Sequence, residues 1–148
     1  MQIARDIPVR APIDKVWPFV SHIPSVTPCF PGAEVTEAVS DREFKATVKV
    51  KIGPFSPQFA GTATVEEKDD ASHKIVVRAR GADRKIGSNA SALITISLTA
   101  DTPATTTLHT LTDFQLTGSL GQFGKGIFEG IANRMVDDFT RNINQRFS

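Results

Sequence analysis

The chain has 148 residues, of which 40% are hydrophobic and 22% charged, with a formal net charge of +1. This describes one ordinary globular domain, 1–148, and excludes a disordered chain. So small a net charge also argues against a nucleic-acid partner, whose binders carry a basic excess. A single cysteine, Cys29, excludes an internal disulfide and a multi-cysteine metal site. No apolar run approaches the ~20 residues of a membrane-spanning helix. The opening MQIARDIPVRAP does not read as a signal peptide, so a cytoplasmic location is expected. Ten phenylalanines, one tryptophan and no tyrosine give an interior with bulk and no phenolic donor.

In chain order, Pro12 suits the first turn of a helix running through Val16 and Phe19, which Pro18 limits to little more than two turns. A second short helix is expected around Ile23–Thr27, closed by Pro28-Cys29-Phe30-Pro31-Gly32. Phe44 to Ile52 places an apolar residue at every even position, the pattern of a half-buried strand ended by Gly53-Pro54. Three further alternating runs follow. They bury Phe59, Gly61, Ala63 and Val65, then Ile75, Val77, Ala79 and Gly81, then Ala90, Ala92, Ile94, Ile96 and Leu98. Thr105 to Thr117 reads as a last strand with Leu108, Thr110, Thr112, Phe114 and Leu116 on one side. Short polar turns between the runs require an antiparallel meander. Finally Phe123, Ile127, Ile131, Met135, Phe139, Ile143 and Phe147 recur every four residues. They predict a C-terminal amphipathic helix about 40 Å long at ~1.5 Å per residue.

No catalytic constellation emerges. His22, His73 and His109 fall in a short helix, after a turn and on an outward strand face. None has the spacing of a metal site, and no phosphate-binding or nucleophile motif is present. Asp69-Asp70 and Asp137-Asp138 are sequence neighbours whose side chains diverge, so neither forms a facing dyad. Cys29 reads as a buried, inert thiol.

The informative pattern is side-chain size. Ala46, Gly61, Ala63, Ala79, Gly81, Ala90 and Ala92 share the predicted inner face with much bulkier residues. A sheet covered by one helix needs larger side chains there to reach interior density, so volume is left over. The candidate cavity wall comprises Val48, Val50, Phe59, Gly61, Ala63, Val77, Ala79, Ala92, Ile94, Ile96, Thr110, Thr112 and Phe114. Phe19, Ile23 and Phe30 would stand at its mouth, and Phe123, Ile127, Ile131 and Met135 on the helix would form a lid. The two threonines would orient a polar head. The alternative is a filled core, with phenylalanine rings reaching across to the small residues. Glycines at 118, 121, 124, 126 and 130 crowd the entry to the helix. They denote either close packing on the sheet or a movable gate, with Gly118, Gly121 and Gly124 as its hinge.

The order strand, two short helices, meander and C-terminal helix resembles the α+β helix-grip fold of the START and birch-pollen-allergen superfamily. In that fold a curved antiparallel sheet of about six to seven strands wraps a long helix around an apolar cavity. Within it, Ala11-Pro12-Ile13-Asp14-Lys15-Val16-Trp17-Pro18-Phe19-Val20, Pro28-Cys29-Phe30-Pro31-Gly32-Ala33 and Gly118-Ser119-Leu120-Gly121-Gln122-Phe123-Gly124 resemble segments of the carbon monoxide dehydrogenase CoxG family. The resemblance implies a non-catalytic accessory protein with no covalent cofactor. It would bind a lipophilic molecule such as a quinone or lipid between helix and sheet, beside a molybdenum hydroxylase that it recruits to the cytoplasmic membrane. Because the chain stops at Ser148, where longer members continue into an anchoring extension, membrane contact is expected to be transient.

Two other readings stay open. An enzyme of the same fold, of the cyclase or dehydratase kind, would need an ionisable group inside the cavity. A pure protein–protein adaptor would dock through the outward basic ladder of Lys45, Lys49, Lys51, Arg78 and Arg80.

Overall fold

Residues 1–122 and 125–148 are described by the structure, a computed structural model. The alternating segments build one antiparallel sheet of seven strands. These are β1 (Gln2–Val9), β2 (Ala33–Ala38), β3 (Glu43–Lys49), β4 (Gln58–Asp69), β5 (Lys74–Asp83), β6 (Ser88–Thr102) and β7 (Thr105–Gly118). Their spatial order is β1-β7-β6-β5-β4-β3-β2, so the first two strands occupy opposite edges. The chain between them must therefore cross the whole sheet. Two short helices, α1 (Ile13–Val20) and α2 (Ile23–Val26), make the crossing, followed by a single 3-10 turn at Thr27–Cys29.

Pro12 caps α1 through its carbonyl, which accepts the N–H groups of Lys15 and Val16 at 3.0 and 3.1 Å. Pro18 lies inside the helix, and α1 ends two residues later at Val20, consistent with the backbone donor that proline lacks. Val16, Trp17, Val20, Ile23 and Val26 are buried, closing one end of the sheet. The long C-terminal helix α3 (Lys125–Arg146) lies along the concave face. At ~1.5 Å per residue its 22 residues span about 33 Å, shorter than the hydrophobic repeat implied.

Two boundaries differ from the sequence expectation. β3 stops at Lys49 rather than Ile52. There Val50 donates to the Pro57 carbonyl at 3.0 Å, and Ile52 and Phe55 pair across a tight turn through Gly53, whose φ is +59°. β2 does not show as an alternating run, because Ala-Glu-Val-Thr-Glu-Ala has too few apolar residues to mark a face.

Buried apolar side chains form two clusters rather than one. The larger joins Ile7, Val9, Val65, Ile75, Val77, Ile96, Leu98 and Leu108 of the sheet to α1, α2, Phe139 and Ile143. The smaller, at the opposite end, joins Ile52, Phe59 and Leu120, with Val50, Ile86, Leu116 and Ile131 packed against it.

Candidate ligand-binding trough

Strand register aligns the small residues into rows. Because paired residues in an antiparallel sheet point to the same face, each row crosses the concave surface at right angles to the strands. One row runs Phe44, Ala63, Ala79, Ala92, Phe114, with three alanines between two phenylalanines. The next runs Ala46, Gly61, Gly81, Ala90, Leu116. On one side of this pair stands the bulky row Val65, Val77, Ile94, Thr112, Ile3; on the other stand Val48 and Phe59. The result is a transverse band of small residues across the middle strands, the candidate trough.

Residual exposure agrees with that geometry. Gly61, Ala63, Ala79, Gly81, Ala90, Ala92 and Phe114 all remain partly exposed, although they lie on the face that carries the helix. Gly61, Ala79, Gly81, Ala92 and Phe114 belong to neither apolar cluster. These residues are thus only partly covered. Of the two glycines, Gly61 has an additional cause: a Cβ there would sit 1.8 Å from the Arg80 carbonyl, so β4 and β5 approach too closely for alanine.

The helix wall differs from the one the four-residue repeat suggested. A helix turns 100° per residue, so a strict repeat of four drifts 40° at each step and winds around the cylinder. Ile127 consequently faces outward at 46% exposure and does not line the trough. Phe128, Ile131, Ala132 and Met135 are partly buried, and Phe139 and Ile143 fully so. Phe19, Ile23 and Phe30 also move from the expected mouth into the larger cluster. Phe30 lies against Phe139, and Phe19 makes an edge contact with Phe147, 5.4 Å between ring centroids. Ile96 and Val77 are buried there too. Phe123 and Gly124 lie outside the described residues.

Polar groups around the trough are few. The Thr110 hydroxyl donates to the Arg5 carbonyl at 3.2 Å, which leaves Thr112 as the better-placed orienting hydroxyl. Arg5, paired with Thr110 in the register, sends its guanidinium to α3, donating to Asp137 at 3.0 Å and Asn133 at 2.8 Å. With Arg5 and Asp137 side chains 36% and 62% exposed, this pair is worth at most about 1 kcal/mol, but it fixes which flank of α3 meets β1. The three histidines stand apart from the trough. His109 bridges Asp6 at 2.7 Å and Thr99 at 2.9 Å on the convex face, His73 meets the Trp17 ring, and His22 bonds Ser25. Asp70 accepts from the Trp17 indole at 2.9 Å. Hydrogen bonds from Ser72 and then Ala71 hold the Asp69 carboxyl below its usual range. Cys29 is buried, and burial lifts its thiol above the ordinary value against the opposing pull of Arg146. Among the described residues no cluster of side chains is suited to a metal ion.

The glycines divide into two kinds. Gly118 adopts φ +85°, and a Cβ there would lie 2.1 Å from the Gly87 carbonyl, so its backbone conformation and its packing both require glycine. Gly121 falls in a 3-10 turn, Ser119–Gln122. Gly126 and Gly130 have nothing within 4 Å of a built Cβ, so close packing on the sheet does not explain them. Two other depressions are present. One, about 540 Å³, follows the free edge of β2 beside Pro24 and Pro28. The other, about 230 Å³, is lined by Arg80, Asn89, Ser91, Gln115 and Thr117 together with Gly81 and Ala90 of the second small-residue row.

A curved seven-stranded antiparallel sheet gripping one long C-terminal helix defines a helix-grip protein, and solved structures bear this out. A conserved protein from Geobacillus kaustophilus superposes with a TM-score of 0.82 at 17% identity, covering 99% of this chain and 95% of that one. The ZhuI aromatase/cyclase from Streptomyces sp. R1128 gives 0.69 at 15% identity, covering 99% and 92%. A START superfamily protein from Mycobacterium smegmatis gives 0.68 at 14% identity, covering 99% and 96%. No curated protein matches the sequence significantly. The sequence profile of the carbon monoxide dehydrogenase CoxG family matches residues 6–148, and the chain belongs to that family. No helix among the described residues is long and apolar enough to cross a membrane.

Proposed function

We propose that the chain is a non-catalytic accessory protein that carries a lipophilic molecule, a quinone or another lipid-like compound, in the transverse trough beneath α3. The observation that carries this reading is the pair of rows Phe44-Ala63-Ala79-Ala92-Phe114 and Ala46-Gly61-Gly81-Ala90-Leu116, in which every residue but the buried Phe44 is left partly exposed. Each CH₂ of a tail buried there contributes roughly 0.8 kcal/mol, so area and shape supply affinity without charge. Thr112 offers one hydroxyl to a carbonyl or hydroxyl head. The described concave rows carry no carboxylate or imidazole, which supports carriage over catalysis.

Membership of the CoxG family supports a molybdenum hydroxylase of the carbon monoxide dehydrogenase type as the protein partner, with delivery at the inner face of the cytoplasmic membrane. The test is organic extraction and native mass spectrometry of protein purified without detergent, followed by calorimetric titration with a short-chain benzoquinone. A released lipophilic mass, or saturable uptake of the quinone, is expected. A protein that is empty and takes up nothing overturns the reading.

A further inference from the structure

We propose that the free edge of β2 is a docking site for an extended segment of a partner protein, alternating apolar and basic residues, which adds to the sheet as a further strand. Backbone, groove and charge converge on this occupant.

The backbone comes first. β2 ends the strand order and pairs with β3 alone among the described residues. The Lys49 N–H donates to the Gly32 carbonyl, and the Val39 N–H to the Glu43 carbonyl, each at 2.9 Å. Peptide groups alternate between the two edges of a strand. Counted from those two bonds, across the register shift between Val35 and Glu37, Glu34 and Glu37 turn theirs to β3 while Val35 and Ala38 turn theirs outward. The opposite edge is guarded. Met1 exchanges backbone bonds with Phe114, so the even-numbered residues of β1 face out, and Pro8 among them has no donor. β2, Ala-Glu-Val-Thr-Glu-Ala, has neither proline nor lysine to protect it.

The groove beside this edge, about 540 Å³, is lined by all six residues of β2 with Pro24 and Pro28. Val35 packs against the larger cluster, which also holds Ile23, Val26 and Cys29, so the prolines stand on the same side as Val35. Glu34, next along the strand, points to the other side and is exposed. An added strand therefore meets proline and valine on one face and carboxylates on the other, which calls for apolar and basic side chains in alternation.

Charge selects the partner further. Segment 22–38 contains Glu34 and Glu37 and no lysine or arginine. Glu37 already shows the favoured pairing, with Lys45 of β3 at 3.4 Å. Glu34 has no ion-pair partner among the described residues. A second copy fits poorly: two β2 edges joined antiparallel about their centres would set Glu34 of each chain against Glu37 of the other, like charges directly opposed.

The test is fluorescence anisotropy of the full chain with a labelled peptide of three valine–lysine repeats, beside a matched valine–glutamate peptide. Saturable binding is expected for the lysine peptide alone, weakening as salt rises. Ala38→Pro removes an outward donor at an exposed position and should lower the affinity about tenfold, the worth of one hydrogen bond, with circular dichroism unchanged. Glu34→Lys, also exposed, should lose the lysine peptide and take up the glutamate one. Binding of neither peptide, equal binding of both, or native affinity in either variant overturns the proposal. Self-association of the chain that excludes the peptide names a second copy as the occupant and overturns it too. Each of these results is independent of quinone uptake, which tests the trough separately.

Discussion

Phe30 lies nearly flat on Phe139, their centroids 4.3 Å apart and their planes 18° from parallel. This contact joins the segment after α2 to the last turns of α3. Beside it the Asn142 side chain donates to the Cys29 carbonyl at 2.8 Å. The C-terminal half of α3 is therefore clamped, whereas its N-terminal half lies over the trough with less buried surface. The two ends of the helix are therefore held with different firmness.

Phe139→Ala should destabilise the fold by about 3–5 kcal/mol, the range for truncating a buried aromatic. Urea denaturation followed by circular dichroism measures this. A loss below about 1 kcal/mol would show that the clamp is not where α3 is held.

Filling the trough should separate stability from binding. Ala79→Leu or Ala92→Leu adds apolar atoms to a row that is only partly covered. Thermal stability should hold or rise, by up to about 2 kcal/mol at roughly 0.8 kcal/mol per carbon. Uptake of a lipophilic ligand should fall sharply. A large destabilisation would mean that the space is already occupied by side chains.

The glycines offer a second separation. Gly118→Ala should be strained, at a cost of about 1–3 kcal/mol, because both its φ and the Gly87 carbonyl oppose a Cβ. Gly126→Ala and Gly130→Ala meet nothing and should each stabilise α3 by about 0.5–1 kcal/mol. If those two glycines keep the entrance supple, stopped-flow ligand association should slow in the double alanine variant while the melting temperature rises. Unchanged association would assign them no part in entry.

Two groups set opposite pH responses. Asp69 has its pKa lowered by folding, so its contribution is complete above the unfolded-state value and is lost as pH falls through the lower folded-state value. Asp69→Asn should flatten the acid limb of the urea midpoint. Cys29 has its pKa raised, so its contribution is present below the unfolded-state value and fades as pH rises through the alkaline range. The native thiol should react with a disulfide reagent far more slowly than the unfolded one at neutral pH. Rapid native labelling would contradict the burial of this segment.

The amino-acid sequence by itself determined which residues share the concave face of β3 to β7, and that small ones cluster there. Alternation in a strand has a period of two regardless of tertiary context, so Ala63, Ala79 and Ala92 could be assigned to one side locally. Their alignment into a single row is a matter of register between strands, which only the assembled sheet sets. The outward turn of Ile127, the commitment of Phe19, Ile23 and Phe30 to the larger cluster, and the place of β2 at the far edge were likewise decided in three dimensions. A helix drifts 40° for every four residues, so a long apolar repeat cannot all face one sheet, and contacts far apart in sequence choose which part does.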